Sequence, residues 1–408
     1  MIESLESLAA SIKNAGGELA FFYGSSEIEV LKKLVKEVPI ECIGFNRDYT
    51  PYAVEREFVL QDLCDKLRID IIAGHDLYLQ APGSIISTGS REAYKKFTPF
   101  YETVLKRPVL PVVRNTNYGA FAAFPRNTLE KSLDSITSTI LTKSVGKTER
   151  IVRGGRKDGL LVLNRALQTQ ANYGKTRDYM NKPCSQLSAY IKFGVLSIRE
   201  IYEPFKKKFG STCEFIRQLY WRDFYAHLLF AFPKGLDGEH FGSIRWTTSK
   251  NWFQAWSSGK TGFPIVDAAI RELVATGYMH NRGRMIVASF LTKTLGLSWK
   301  LGERFFATHL TDYDIASNNG NWQNISSTGI YAEAYFRDMN PWIQSKKFDP
   351  DCEYIKKWVP EVADIPTEVI HKWYEFYKAT EYKGKYITPI CIYEEQKKVV
   401  LEKYEKAL

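Results

Sequence analysis

Apolar residues recur along this chain with two different rhythms, and the change of rhythm divides it. In the first hundred residues helical and strand-like periods alternate. Glu3–Ala15 repeats every three to four positions and predicts an amphipathic helix, and GGELAFFYG (16–24) then predicts a short buried strand. Ser25–Val38 predicts a second helix with a serine at its cap and Glu27 close behind it. PIECIGFN (39–46) is a second predicted strand, Val54–Leu67 a third helix, and RIDIIAGHD (68–76) a third strand. Strands alternating with helices imply crossover connections and a largely parallel sheet, a Rossmann-like α/β domain over residues 1–109. The unit opens on a helix, whereas a doubly wound domain normally opens on a strand.

From Leu110 to Gly146 the pattern dissolves into Pro, Asn, Thr, Ser and Lys, which predicts an interdomain linker packed over the surface. Beyond it the helical period dominates. Asn164–Gln170, Ile198–Phe205, Cys213–Phe230, Ile265–Ala275, Met285–Leu295 and Gly302–His309 all suit helices, and no alternating strand stands out. Residues 147–408 are therefore expected to form an all-α domain, and all nine tryptophans fall in it.

Composition sharpens this picture in three ways. At 408 residues, two domains are the default expectation. Aromatic residues make up 14% of the chain and nine are Trp, more than a core of this size needs. A net charge of +10 favours polyanionic partners, nucleic acid first and anionic membranes second. The six cysteines (42, 64, 184, 213, 352, 391) form no C-x-x-C pair, which argues against a zinc site, an iron–sulfur cluster and a disulfide scaffold. No apolar run approaches about 18 residues and no signal peptide pattern opens the chain, so a soluble, intracellular protein without a membrane partner is expected.

Candidate chemistry gathers in four places. TGYMHNRGRMIVASF (276–290) and TDYDIASNNGNW (311–322) bring together glycines, Arg284, the pair Asp312 and Asp314, and Asn318. A flavin ring calls for an amide opposite N5, an acceptor for N3–H and a cation near N1, and these residue types meet those needs. They equally suit a helix–loop–helix joint closed by a structural salt bridge. In PCSQLSAYIKFGVLS (183–197), Ser185 and Ser188 stand at a predicted helix start, a seat for phosphate or an ordinary cap. IRQLYWRDFYAHLLF (216–230) clusters Gln218, Trp221 and Arg222, where Trp221 could stack on a planar ligand or fill core. Arg177, Arg282, Arg337, Lys346 and Lys347 lie beside aromatics or glycines, suited to phosphate or simply solvated.

Taken together and in order, the motifs carry a resemblance. GKTGFPIVDAAIRELVATGYMHNRGRM (259–285), ASFL (288–291), DYDIASNNGNWQ (312–323), YFRDMNP (335–341) and KKFDPDCEYIKKWVPE (346–361), with YWRDFYAHL and LSAYIKFGVLS, resemble the photolyase/cryptochrome family. The likeness is closest to class I cyclobutane-dimer DNA photolyases. It implies a helical domain holding FAD, active in its reduced form, and UV-damaged DNA whose lesion is flipped out against it. Blue light would drive electron transfer to the dimer. Tyr173, Ser185, Leu187 and Ser188 match positions that seat the FAD phosphates, and Arg222 another flavin contact. Arg284 and Asp312, with Asp314 nearby, match the pair beside the flavin ring, and Asn318 the residue facing N5. Trp246, Trp299 and Trp322 match a three-step electron route, while Trp256 reads as core. Gln218, Trp221, Asn281, Arg282 and Met285 match lesion contacts, and Arg177, Arg282 and Arg337 match contacts to DNA phosphates.

Some departures matter. Asn281 and Met285 stand where (6-4) photolyases carry two histidines, which counts against (6-4) repair. Gln218 replaces a glutamate, and Asn324 a second lesion-facing tryptophan, which favours the rival expectation of a cryptochrome photoreceptor; Asn318 favours repair. The family's opening strands are not found, so about 50 to 65 residues of the α/β domain are expected to be absent, leaving an open sheet edge, or their place is filled by a second polypeptide or altered packing. The antenna chromophore stays unassigned. The expected state is a monomer.

Overall fold

A computed structural model describes the chain except residues 88, 114–120, 122–124, 126, 142–150, 239–243, 331–335 and 408. Two compact units emerge, Met1–Lys147 with Val152–Thr169 and Ser185–Pro233, and Thr148–Ile151 with Gln170–Cys184 and Lys234–Leu408. Residues 185–233 thus pack within the first unit.

In the first unit the alternating pattern yields a βαβ element. Strand β1 (Cys42–Asn46) pairs in parallel with β2 (Asp70–Gly74), register Cys42 to Asp70, and the helix Pro51–Leu67 connects them. That helix starts where the sequence stops it fraying: Thr50 accepts from the Ala53 amide, and Pro51 fills the first turn, where no amide is needed. Ser26 caps Glu27–Glu37 through the Glu29 amide. The expected strand at 16–24 does not form. Among the described residues, Phe22 makes a single antiparallel bridge to Glu130, and one bridge gives no ladder to hold a strand. Phe58 (76% exposed) and Ile72 (68%) stand out from the helix and from β2. Within the expected linker, Leu133–Leu141 is helical, started by the Ser132 hydroxyl accepting from the Ser135 amide.

The second unit is helical. Its centre is Pro264–Thr276, buried along nearly its whole circumference and packed against Asn281–Ser289 and Glu353–Trp358. Trp256, Phe263, Phe290, Trp299 and Trp373, each at most 1% exposed, fill the space around it. The Asp267 carboxylate inside this core is satisfied by the Thr261 amide (2.7 Å) and hydroxyl (2.6 Å), the Gly262 amide (3.1 Å) and the Tyr386 hydroxyl. A buried carboxylate with four donors costs far less than a bare one. Among the described residues no helix is long and apolar enough to cross a membrane.

Candidate functional site

The helix Asn281–Ser289 organises the second unit's chemistry. His280 starts it, its Nδ1 accepting from the Arg282 amide at 3.1 Å, while its own amide donates to Glu272 at 3.1 Å. Burial, with the Arg284 charge close by, pushes the His280 pKa down to about 4, so the ring stays neutral and keeps its acceptor. One turn in, Arg284 donates both to Asp312 (3.0 and 3.1 Å) and, through Nε, to the Met279 carbonyl (2.9 Å). Burial opposes its charge, but Asp312 and then Tyr278 outweigh that and raise its pKa above the ordinary arginine value. Arg284 therefore keeps its charge against Asp312, whose side chain is only 5% exposed.

Asn318 lies on the helix Ile315–Ser326, 9% exposed. Asp314, one of the two expected carboxylates, is that helix's cap and accepts from the Ser317 amide at 2.8 Å. The Asn318 amide nitrogen donates to Glu303, at 3.0 Å to the carboxylate and 3.2 Å to the backbone oxygen. Asn318 Oδ1 and Arg284 Nη1 are left without a partner among the described residues. An acceptor and a cationic donor held ready beside the Arg284–Asp312 salt bridge fit the polar edge of a flavin.

Of the three expected electron carriers, Trp299 and Trp322 are buried (1% and 2%) and Trp246 half-buried. Among the described residues, the ring neighbours of Trp322 are Phe306 at 5.0 Å and Trp256 at 6.3 Å, and that of Trp246 is Tyr404 at 6.1 Å. Trp322 lies so close against the helix Trp299–His309 that a Cβ on Gly302 would come within 2.1 Å of its ring. Trp256 is fully buried and its indole donates to the Val287 carbonyl, a core role as expected.

Beside this set lies a cavity of about 370 Å³ lined by Lys175, Arg282, Arg337 and Lys347, with Asp178 and Asp338 among them. Arg282 pairs with Asp178 at 2.6 Å and spreads over the Phe348 ring at 4.2 Å. Asn281 and Met285, four apart on one helix face, touch at 3.6 Å. Arg177 ends the short helix Tyr173–Thr176 and does not line the cavity.

Of the remaining candidates, Tyr173 starts the short helix Tyr173–Thr176 in the second unit, and the others belong to the first. Trp221 stacks on Phe97 at 3.7 Å, nearly parallel, so one of its faces is taken. Arg222 donates to the Leu77 carbonyl and covers the Tyr78 ring at 4.3 Å. Gln218 donates back to the Glu214 carbonyl at 3.4 Å. Ser185 accepts weakly from the Leu187 amide, Leu187 is buried and Ser188 is exposed on a helix of only five residues. Glu303, Asp178, Lys175 and His280 escape a reading by residue type. Glu303 and Asp178 act through partners farther along the chain, Asn318 and Arg282, Lys175 only lines the cavity, and His280, placed just before a helical period, leaves a local signal.

Comparison with known proteins identifies the family. Residues 215–406 match the family described as FAD binding domain of DNA photolyase, and residues 1–115 the one described as DNA photolyase. The deoxyribodipyrimidine photo-lyase of Halobacterium salinarum is 31% identical over 431 residues, spanning 100% of this chain and 87% of that protein. That of Escherichia coli is 33% identical over 407 residues, 94% of this chain and 82% of that protein. Among solved structures, an archaeal photolyase from Sulfolobus tokodaii with two FAD molecules superposes with a TM-score of 0.84 at 35% identity, covering 99% of this chain and 87% of that one. A class III photolyase from Agrobacterium tumefaciens reaches 0.90 at 28% identity, covering 100% and 87%, and a cryptochrome from Synechocystis 0.86 at 26%, covering 98% and 86%. Two domain matches in sequence, and a third of positions shared along nearly the whole chain, place this protein in the DNA photolyase family.

Proposed function

We propose that this protein repairs cyclobutane pyrimidine dimers in DNA under blue light, with FAD as its cofactor. One observation carries the reading: a single helix serves both partners. Arg284 on Asn281–Ser289 belongs to the flavin set, and Arg282, two residues earlier and so turned to another side, lines the basic cavity. Reduced FAD, when bound and excited, supplies one electron to the dimer and takes it back once the ring has split. The chain's own residues hold charge and shape for that exchange. Arg284, fixed by Asp312, sets a permanent cation beside the flavin's polar edge. Asn318 offers an amide oxygen and, unlike a carboxylic acid, carries no acidic proton to deliver. Arg282, Arg337, Lys175 and Lys347 take the phosphates that flank the lesion.

The finer assignments belong to the same proposal: Trp246, Trp299 and Trp322 as the route that reduces oxidised flavin, Tyr173 as a phosphate contact, and a monomer working in whatever compartment holds DNA. So do the functional divisions 1–109, 110–146 and 147–408. Exposed Phe58 and Ile72 support cover of the two-stranded sheet by further polypeptide. The test is direct. Dimer-containing DNA is exposed to purified, reduced protein under blue light and lesion loss is followed. Loss in light but not in darkness is expected. No loss, with flavin bound, would leave the cryptochrome-type photoreceptor that Gln218 and Asn324 favour.

A further inference from the structure

Lys293 is 1% exposed, and among the described residues no carboxylate is hydrogen-bonded to it, Asp338 acting on it through charge alone. It sits in a π-helical turn, Phe290–Thr294, that continues the helix Asn281–Ser289 and buries all five of its residues. Turns of this kind concentrate at functional places because they re-aim side chains. Its ammonium donates to the Ser327 hydroxyl (2.9 Å) and the Arg337 carbonyl (2.9 Å), between the rings of Phe336 (5.4 Å) and Tyr404 (5.9 Å). Lysines are seldom buried without an acid partner, and this one has no place in the flavin set.

Its partner explains it. Residues 336–340 form no ladder with another strand among the described residues. Side chains hold them instead. Four residues before Lys293, Ser289 accepts from the Met339 amide at 2.9 Å. The Asp338 carboxylate is gripped by the Tyr393 hydroxyl and by Lys397 at 3.1 Å, both on the helix Tyr393–Glu405. Fixed at three successive residues, this strap leaves the Arg337 side chain exposed at the cavity it shares with Arg282 and Lys347.

We infer that Lys293 is a positioning residue for DNA binding, anchoring from inside the backbone that aims Arg337 at a phosphate. The inference rests on the DNA-binding reading of the cavity. An arginine on an untethered strap would meet the phosphate in many orientations and hold it poorly.

The test uses full-length protein with FAD bound, in darkness, and a duplex carrying one thymine dimer. Affinity is measured against salt concentration for wild type, Arg337→Ala, Lys293→Met and the double variant. Each lost phosphate contact lowers the slope of log affinity against log salt by about 0.9. Arg337→Ala is expected to lose one such contact, Lys293→Met the same, and the double variant no more than either alone. A wild-type slope in Lys293→Met, with a lowered one in Arg337→Ala, overturns the inference. A wild-type slope in Arg337→Ala overturns the cavity reading instead. If Lys293→Met fails to retain flavin, Ser289→Ala, which frees the Met339 amide and leaves the ammonium in place, decides by the same slope. A structural role alone would lower stability and leave the slope unchanged.

Discussion

The Asn318 amide nitrogen is held by Glu303, 3.0 Å from its carboxylate, so the side chain proposed to face the flavin has its donor tied back into the protein. This fixes which end of the amide is offered. It also makes the position intolerant of a second acid. Asn318→Ala loses one bond to a charged acceptor, about 1–2 kcal/mol of stability. Asn318→Asp sets a carboxylate against Glu303 and should cost more at neutral pH, since one of the two must take up a proton. Urea midpoints at pH 7 and pH 4.5 check this: the excess penalty of Asp over Ala should shrink at the lower pH. An equal excess at both pH values would show that the two side chains do not face each other.

Asp178 holds Arg282 at 2.6 Å within the basic cavity, with side chains 36% and 14% exposed. A DNA phosphate must compete with that carboxylate. Asp178→Asn should therefore tighten binding to undamaged duplex about two- to fivefold at low salt, the scale of a partly exposed ion pair. The gain should fade as salt rises. Fluorescence anisotropy with undamaged and dimer-containing duplexes measures it, and weaker binding by the variant would mean that Asp178 orients Arg282 rather than restraining it.

How much of this was legible beforehand depends on where each residue finds its partner. The βαβ element and the long helices declare themselves through period and caps, as at Thr50–Pro51. The stretch 315–326 does not, because Ser, Asn and Gly are poor helix formers. What makes it helical is tertiary. Asn319 donates to the Leu236 carbonyl (3.1 Å), Gln323 to the Gly235 carbonyl (2.5 Å), and Asn318 to Glu303. The strand expected at 16–24 fails for the converse reason: its apolar run is right, but among the described residues only Phe22 finds a bridge. Arg284 and Asp312 could be paired from residue type. Glu303 and Lys293 could not, since neither shows a local pattern and both act through residues well along the chain.

Trp299 is buried, and among the described residues its indole nitrogen has no hydrogen-bond partner. No polar group among the described residues fixes that ring, so phenylalanine in its place should be tolerated by the fold. If the proposed route holds, Trp299→Phe loses most photoreduction of oxidised flavin yet repairs dimers normally once chemically reduced. Trp256→Phe, which forfeits the bond to Val287, should instead lower stability by about 1–3 kcal/mol. Photoreduction in Trp299→Phe at the wild-type rate would remove this residue from the route.

His280 links the site to pH. Its pKa falls from 6.5 in the unfolded chain to about 4 in the folded one, chiefly through burial. Above pH 6.5 the ring is neutral in both states and contributes no proton linkage. Between 6.5 and about 4 the unfolded chain binds a proton that the native state refuses, so stability is lost as pH falls, on the order of 3 kcal/mol from this group by pH 4. His227, lowered to about 4 by burial in the first unit, acts in the same direction. Protonating His280 would also remove the acceptor that starts the helix bearing Arg282 and Arg284. Asparagine suits that capping position and does not titrate. His280→Asn should therefore match wild type near pH 7.5 and lose stability less steeply between pH 6.5 and 4. Urea midpoints across that range test it, and parallel curves for the two proteins would rule out His280 as the titrating cap.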